Sequence, residues 1–284
     1  SCGWRPHFRK NTMKLLMENW RKFVNEKADP GKLDPARFPT KLSSVAQNPE
    51  DAKLDTTKGA ADQSREDDII AVTPNFTAPV SQLKPSQSTM KISNATGMAL
   101  SMLLGKMPLG GNLGGFISSD NHIMDGHHRW VATAMVDPTK EVGGYLVDFP
   151  GSQLIPILNG ITVGRLGITQ GKEGSGSFDQ FSEGPIRKTL AALMQNGSEH
   201  LSAEEVQAAV KKFTGKEGQE GLELATRKFV ENISSLRFEV PAGAPERIDM
   251  PVIDNKKVAD ADKIAAKALA QGEVDVNPPY GHEV

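Results

Sequence analysis

Apolar and polar residues follow different spacings in different parts of this chain. Short apolar runs predict strands near residues 69–76, 116–124 and 144–149. Elsewhere apolar positions recur every three to four residues, which predicts helices at 13–27, 94–104, 127–136, 185–197, 202–215, 220–234 and 256–270. Strands and helices interspersed within one short region indicate an α+β fold with a small mixed core.

Local signals add detail at the ends of these elements. Ser202 is followed three residues later by Glu205, the spacing of a capping box, so a helix is expected to begin there. Asn94 is expected to cap the helix that follows it. The run GGNLGG at residues 110–115 is rich in glycine, and we interpret it as a flexible loop.

The chain is expected to have one core with an extension at each end. Residues 1–28 are predicted to contain a basic amphipathic helix. Residues 29–68 have few apolar positions and several proline steps, which is typical of a linker. The core is assigned to residues 69–165, and residues 166–284 are predicted to form a C-terminal helical region and tail.

Composition excludes several classes of protein. The 284 residues include 33 Lys or Arg and 35 Asp or Glu, a formal net charge of −2, which disfavours a globally basic nucleic-acid binder. The chain has one cysteine, Cys2, so a disulfide scaffold and a cysteine-rich zinc site are excluded. No run of about 18 apolar residues occurs. We therefore expect no membrane span, and a cytoplasmic protein or part of a virion inside a host cell.

The N-terminal segment is charged differently from the rest. Residues 1–28 contain seven Lys or Arg and two Glu, a local net charge of 7 − 2 = +5. A basic amphipathic helix could dock on a partner, an acidic surface or a lipid, or support self-assembly. It could equally pack on its own domain.

Residues 123–130, IMDGHHRW, are the strongest chemical signal. An apolar strand is expected to end there, Asp125 and Gly126 to form a bend, and His127 to open a helix. A helix N-terminus presents backbone N–H groups and partial positive charge, which favour an anion, above all phosphate. Basic side chains oppose the helix dipole at that end, and a bound phosphate would remove the conflict.

Other interpretations of the same residues remain open. Asp125 could simply cap the helix, His127 could lie at the surface, and Arg129 could pair with a distant carboxylate. A metal site is also possible, with His122, His127, His128 and Asp125 as ligands. Adjacent histidines on a helix point in different directions, so Mg²⁺ bridged to a phosphate by Asp125 is favoured over structural zinc.

The pentapeptide DGHHR, between a strand and a helix, resembles the signature of the ParB/sulfiredoxin-like superfamily. LKPSQ at residues 83–87 resembles the Leu-x-Pro-Thr-Gln element of its ParB-like putative nuclease branch. The order of elements is also similar: an opening strand and proline turn, a helix, a glycine-rich loop, a strand and the signature helix. The resemblance covers about residues 69–165.

The resemblance implies a small α/β fold whose signature loop binds phosphate. Members of the superfamily bind or hydrolyse CTP, phosphorylate free serine, reduce cysteine sulfinic acid with ATP, or cut nucleic acid. Carried over, Gly126, His127, His128 and Arg129 would bind the phosphate of a nucleotide. His127 or His128 would be the general acid or base. From its position in the loop, and not from the resemblance, we also expect Asp125 to take part in catalysis and to hold Mg²⁺ with the phosphate.

Two differences from the superfamily exclude some of these activities. The loop has no cysteine, which excludes the sulfinic-acid reductase chemistry, and the C-terminal helices lack a basic face for reading DNA. The sequence therefore predicts a phosphate-binding ParB-like protein. It would be a nucleotide hydrolase, a phosphotransferase or a nuclease, with nucleic acid a possible ligand. The alternative is a non-catalytic binding or structural module of a larger assembly, such as a phage particle.

Overall fold

The computed structural model describes residues 38–57, 65–171, 176–251, 253 and 258–276. Its strands are β1 (Val72–Pro79), β2 (Lys84–Pro85), β3 (Thr89–Met90), β4 (Gly111–Ser118), β5 (His122–Ile123), β6 (Glu141–Val147) and β7 (Gly176–Ser177). Its helices are α1 (Leu42–Val45), α2 (Pro49–Asp55), α3 (Ile92–Leu103), α4 (His127–Val136), α5 (Gly151–Gly164), α6 (Glu183–Asn196), α7 (Ala203–Thr214), α8 (Gly218–Ile233) and α9 (Ala261–Ala270). Single 3-10 turns occur at Val80–Gln82, Phe178–Gln180 and Arg247–Asp249. The fold is α+β, as the sequence predicted.

Five strands form one mixed sheet in the order β1-β6-β4-β5-β2. β1 is antiparallel to β6, β6 is parallel to β4, β4 is antiparallel to β5, and β5 is parallel to β2. Lys84 pairs with His122, and Pro85 pairs with Ile123. Because β2 and β5 run in the same direction, the residues that follow them emerge side by side at one edge. The LKPSQ and DGHHR motifs meet there.

The sheet separates two hydrophobic cores. Ile117 and Ile123 belong to the core that also contains α3, α4 and the C-terminal helices α6, α7 and α8. Phe116 and Met124, their immediate neighbours in sequence, belong to the other core, with α5 and α9. Successive side chains of a strand point to opposite faces, so a strand with apolar residues at both positions is covered on both sides.

Two glycines let β6 approach its neighbours closely. A Cβ atom on Gly143 would overlap the carbonyl oxygen of Phe76 in β1, and one on Gly144 would overlap the carbonyl oxygen of Gly115 in β4. Both obstacles are backbone atoms, which cannot rotate away as a side chain could. The middle of the sheet therefore requires glycine at both positions.

The interpretation of residues 29–68 as a linker is wrong for its described part. α1 and α2 pack against α5, and Phe38, Leu42 and Val45 are buried. Gly164 of α5 permits this contact, because a Cβ atom there would overlap the carbonyl oxygen of Ala52. Residues 1–37, which include the predicted basic helix, lie outside the described residues.

Other expectations have different outcomes. The capping box of Ser202 and Glu205 is confirmed. The predicted cap at Asn94 is wrong, since α3 begins two residues earlier. Residues 111–115 of the expected flexible loop belong to β4 instead. In the part of the chain that the structure describes, no helix is long and apolar enough to span a membrane.

Candidate functional site

The Asp125–Gly126 bend has the predicted geometry. Gly126 adopts a left-handed φ of 82° immediately before α4, a conformation that favours glycine. A Cβ atom at this position would also lie 2.8 Å from the Cβ atom of Leu113. The Gly126 N–H donates to Oδ1 of Asp125 over 2.7 Å. The bend thus brings the N-terminus of α4 against the beginning of β4.

His127 connects the bend to the LKPSQ motif. Its side chain is buried, and its Nε2 atom accepts a hydrogen bond of 3.1 Å from the Ser86 backbone N–H. The Ser86 hydroxyl lies 3.3 Å from the same nitrogen. An imidazole nitrogen that accepts these bonds is unprotonated, so the proton of the neutral ring is on Nδ1. The two motifs that carry the family resemblance are therefore in direct contact.

His128 has a second pair of nitrogen contacts. Its Nε2 atom accepts from the Lys91 backbone N–H at 3.3 Å, and its Nδ1 atom lies 3.4 Å from Nη1 of Arg247. A neutral imidazole has one N–H and one accepting nitrogen, whereas guanidinium can only donate. If Nε2 accepts from Lys91, the proton of the neutral ring is on Nδ1. The Nδ1–H and the Arg247 N–H are then two donors that point into the space between the two side chains.

Arg247 was not anticipated from the sequence. It lies in the 3-10 turn Arg247–Asp249, and its backbone N–H donates to Thr89 Oγ1 over 2.9 Å. Burial lowers the pKa of the Arg247 guanidinium, and the Asp125 carboxylate acts in the opposite direction. The side chain is thus a partly desolvated cation beside the signature loop. A lone arginine in an extended, proline-rich segment gave no signal of this position.

Arg129 occupies a different place from the one that the resemblance implies. Its Nη1 atom donates to the Asn112 carbonyl over 2.6 Å, and its Nη2 atom donates to the Gly110 carbonyl over 3.0 Å. Burial lowers the pKa of this guanidinium as well. Because both terminal nitrogens bind backbone oxygens, Arg129 connects α4 to the start of β4. Each terminal nitrogen has a second N–H, so the predicted contact of Arg129 with a phosphate stays a prediction.

Trp130 secures α4 from the other side. The residue is completely buried, and its Nε1 atom donates to the Val80 carbonyl over 2.9 Å. An indole N–H that is buried needs such an acceptor. Trp130 therefore fixes the rotation of α4, which in turn sets the directions of His127 and His128.

The Mg²⁺ site predicted at Asp125 has a single carboxylate in the loop. No group of three His, Cys, Asp or Glu side chains converges anywhere in the described ranges. The carboxylate of the loop, Asp125, interacts electrostatically with the Arg247 guanidinium. Mg²⁺ commonly binds one or two carboxylates together with substrate phosphates. Mg²⁺ held jointly by Asp125 and a bound phosphate therefore stays a prediction.

Comparison of the chain with models of known families, with curated proteins and with solved structures found no match. The site must therefore be interpreted from its own geometry.

Proposed function

We propose that this protein binds a phosphate-bearing ligand at the Asp125–Gly126 bend, with Arg247 and His128 as the groups that contact the phosphate. The observation that carries the proposal is the distance of 3.4 Å between Nη1 of Arg247 and Nδ1 of His128. When Nε2 accepts from Lys91, the Nδ1–H and the Arg247 N–H are two donors at this separation, and one phosphate oxygen can accept from both.

The surroundings favour an anion for two further reasons. Arg247 is partly desolvated, and a cation in a medium of lower dielectric gains more from an opposite charge than one in water. The site also adjoins the N-terminus of α4, whose dipole favours negative charge. Each effect is modest alone, about 1 kcal/mol for the dipole, but both have the same sign as the donor pair. The Asp125 carboxylate beside Arg247 acts in the opposite direction.

The family resemblance supports a nucleotide as the ligand. The contact between Ser86 and His127 joins the two motifs on which that resemblance rests. Nucleotide hydrolysis, phosphate transfer or phosphodiester cleavage would each follow from such binding, in the cytoplasm or in a virion inside a host cell.

A specific observation favours a non-catalytic binding module as the second candidate. Nε2 of both His127 and His128 accepts a hydrogen bond from a backbone N–H. These nitrogens are already engaged, whereas a general base needs an accepting nitrogen directed at its substrate. Incubation with ATP, CTP and short DNA, with Mg²⁺ and without it, separates the candidates. Turnover by the wild type that His128→Gln abolishes would support an enzyme.

Calorimetric titration with inorganic phosphate, ATP and CTP tests binding itself. We expect Arg247→Met to weaken the affinity for each ligand that binds by more than tenfold, which corresponds to about 1.4 kcal/mol. Arg187→Met is the matched control, because Arg187 is an exposed arginine paired with Glu223 on the helical region. Unchanged affinity in Arg247→Met, or an equal loss in the control, would refute the assignment.

The basic segment 1–28 remains a predicted docking element for a protein partner or for self-assembly. Deletion of these residues is expected to change the elution volume of the protein in size-exclusion chromatography. An unchanged profile at several protein concentrations would count against this role.

A further inference from the structure

A cavity of about 500 Å³ lies on the face of the sheet that α5 and α9 cover. Its volume is within the range of about 300–1,000 Å³ that is typical of small-molecule sites. Much of the wall is apolar, formed by Leu113, Phe116, Met124, Ile155, Leu158 and Met250. A ligand that fills this space therefore needs an apolar body.

Two buried amides present acceptors to this cavity. Asn159 is 2% exposed, and its Nδ2 atom donates to the Thr40 carbonyl over 2.7 Å. Gln87 is also 2% exposed, and its Nε2 atom donates to the Thr89 carbonyl over 2.8 Å. These donor bonds fix which end of each amide is oxygen, since a carbonyl oxygen cannot face another carbonyl. Among the described residues, neither amide oxygen has a hydrogen-bond donor.

Thr162 adds a third polar group to the wall. It is 5% exposed, and its hydroxyl makes no hydrogen bond within the part of the chain that is described. The oxygens of Gln87, Asn159 and Thr162 are not among the fully buried atoms that lack a partner, so they are accessible from the cavity. Three accessible acceptors in one wall favour a ligand that brings N–H donors.

The charged residues in the described part of the cavity wall have one sign. Its charged lining residues are Asp125, Asp260 and Asp262, and its described lining contains no Lys or Arg. Asp260 also binds Lys263, which lies outside the lining, over 2.7 Å. A carboxylate ligand would meet like charge here, whereas an ammonium group would meet opposite charge.

We propose that this cavity is a binding site for an apolar organic amine, whose carbon body packs on the apolar wall and whose ammonium donates to the side-chain oxygens of Gln87 and Asn159. The cavity adjoins the proposed phosphate contact, because Asp125 lines it, whereas Arg247 and His128 are absent from its lining. The amine proposal rests on the cavity and its acceptors, and it holds whether or not the bend binds phosphate.

Three probes that share a phenylethyl body and differ in charge test the proposal on the full chain: 2-phenylethylamine, 2-phenylethanol and 3-phenylpropanoate. Ligand-observed NMR titration gives the affinities. We expect the amine to bind at least tenfold more tightly than the alcohol, and the carboxylate to bind most weakly. Equal or tighter binding of the alcohol or the carboxylate, or no binding of any probe, would overturn the proposal.

Two variants locate the binding. Leu158→Trp fills the cavity and is expected to weaken amine binding by more than tenfold, whereas Val240→Trp, at an exposed position outside the lining, leaves it unchanged. Gln87→Met keeps the length of the side chain and removes the acceptor, with an expected loss of about fivefold or more, in the range of one hydrogen bond to a charged group. If Leu158→Trp does not fold, Gln87→Met decides alone. Full affinity in Gln87→Met would overturn the assignment.

Discussion

Arg129 makes contacts in the structure that differ from the phosphate contact that the motif implies. The resemblance makes this residue a phosphate ligand, whereas its guanidinium donates to the carbonyls of Gly110 and Asn112. In the variant Arg129→Met both bonds are lost. A hydrogen bond from a charged group is worth about 1.5–3 kcal/mol, and partial exposure of this side chain favours the lower end. We therefore expect the free energy of unfolding to fall by about 2–3 kcal/mol.

Urea denaturation followed by circular dichroism measures this loss. With a slope of about 3 kcal/mol per molar urea, the midpoint should fall by about 1 M. Arg129→Lys is an informative control, because lysine keeps the charge but lacks the planar fork that reaches two carbonyls together. It should lose most of the same stability.

Phosphate titration of the same variant completes the test. Once Arg129→Met is folded, its phosphate affinity should lie within about threefold of the wild type, because the residue acts on the fold rather than on the ligand. A variant with unchanged stability and more than tenfold weaker phosphate binding would refute the reasoning. Arg129 would then be an anion ligand that leaves its carbonyl partners when phosphate is present.

Three other substitutions test the fold and its pH dependence. Gly143→Ala should abolish folding as judged by circular dichroism, because its Cβ atom would overlap the backbone of Phe76; a stable, soluble variant would contradict the close approach of β6 and β1. Gly97 lies inside α3, and a Cβ atom there would have no neighbour within 4 Å. Gly97→Ala should therefore raise the free energy of unfolding by about 0.5–1 kcal/mol, and a lower free energy of unfolding would show that the space is not open. Burial lowers the pKa of His122 from its ordinary value of about 6.5, although Asp120 acts in the opposite direction. The unfolded chain thus takes up the proton first, so stability should fall as the pH decreases below about 6.5. In urea titrations at pH 7 and pH 5, His122→Gln should reduce the loss of stability between the two pH values. An unchanged loss would mean that other groups cause the pH dependence.

Much of the fold was predictable because local rules determined it. The capping box at Ser202 and Glu205 is a short-range pattern, and the structure contains both of its hydrogen bonds. The helix predicted over 127–136 occurs at His127–Val136, where apolar periodicity and the glycine bend agree. Signals of this kind depend on neighbours in sequence, so they can be interpreted without the tertiary structure.

The linker and the glycine-rich loop were missed for a different reason. α1 and α2 are short and have few apolar residues, so their stability depends on packing against α5, which periodicity within them cannot show. Residues 111–115 have loop composition, but glycine there permits the close contact between Gly115 and Gly144. Composition indicated flexibility where the tertiary structure requires small side chains.

The residues of the candidate site could also be predicted only in part from the sequence. The DGHHR motif located one wall of the site, and the sequence also placed His127 and His128 at the start of a helix. The residue that gives the site its cation, Arg247, is separated from His128 by 119 positions and lies outside any recognisable motif.

The segment that contains Arg247 connects the site to several distant parts of the chain. The Pro245 carbonyl accepts from the Ser88 N–H over 2.9 Å, the Arg247 N–H donates to Thr89, and Asp249 accepts from the Ser43 hydroxyl over 2.6 Å. These bonds determine where the guanidinium lies before any ligand arrives. A phosphate that bound Arg247 and His128 together would add a connection between this segment and α4. Ligand binding should therefore protect the amides of Ser88 and Arg247 from hydrogen exchange, because both lie in the contact between the segment and the core. If phosphate left both exchange rates unchanged at saturation, the segment would not form part of the site.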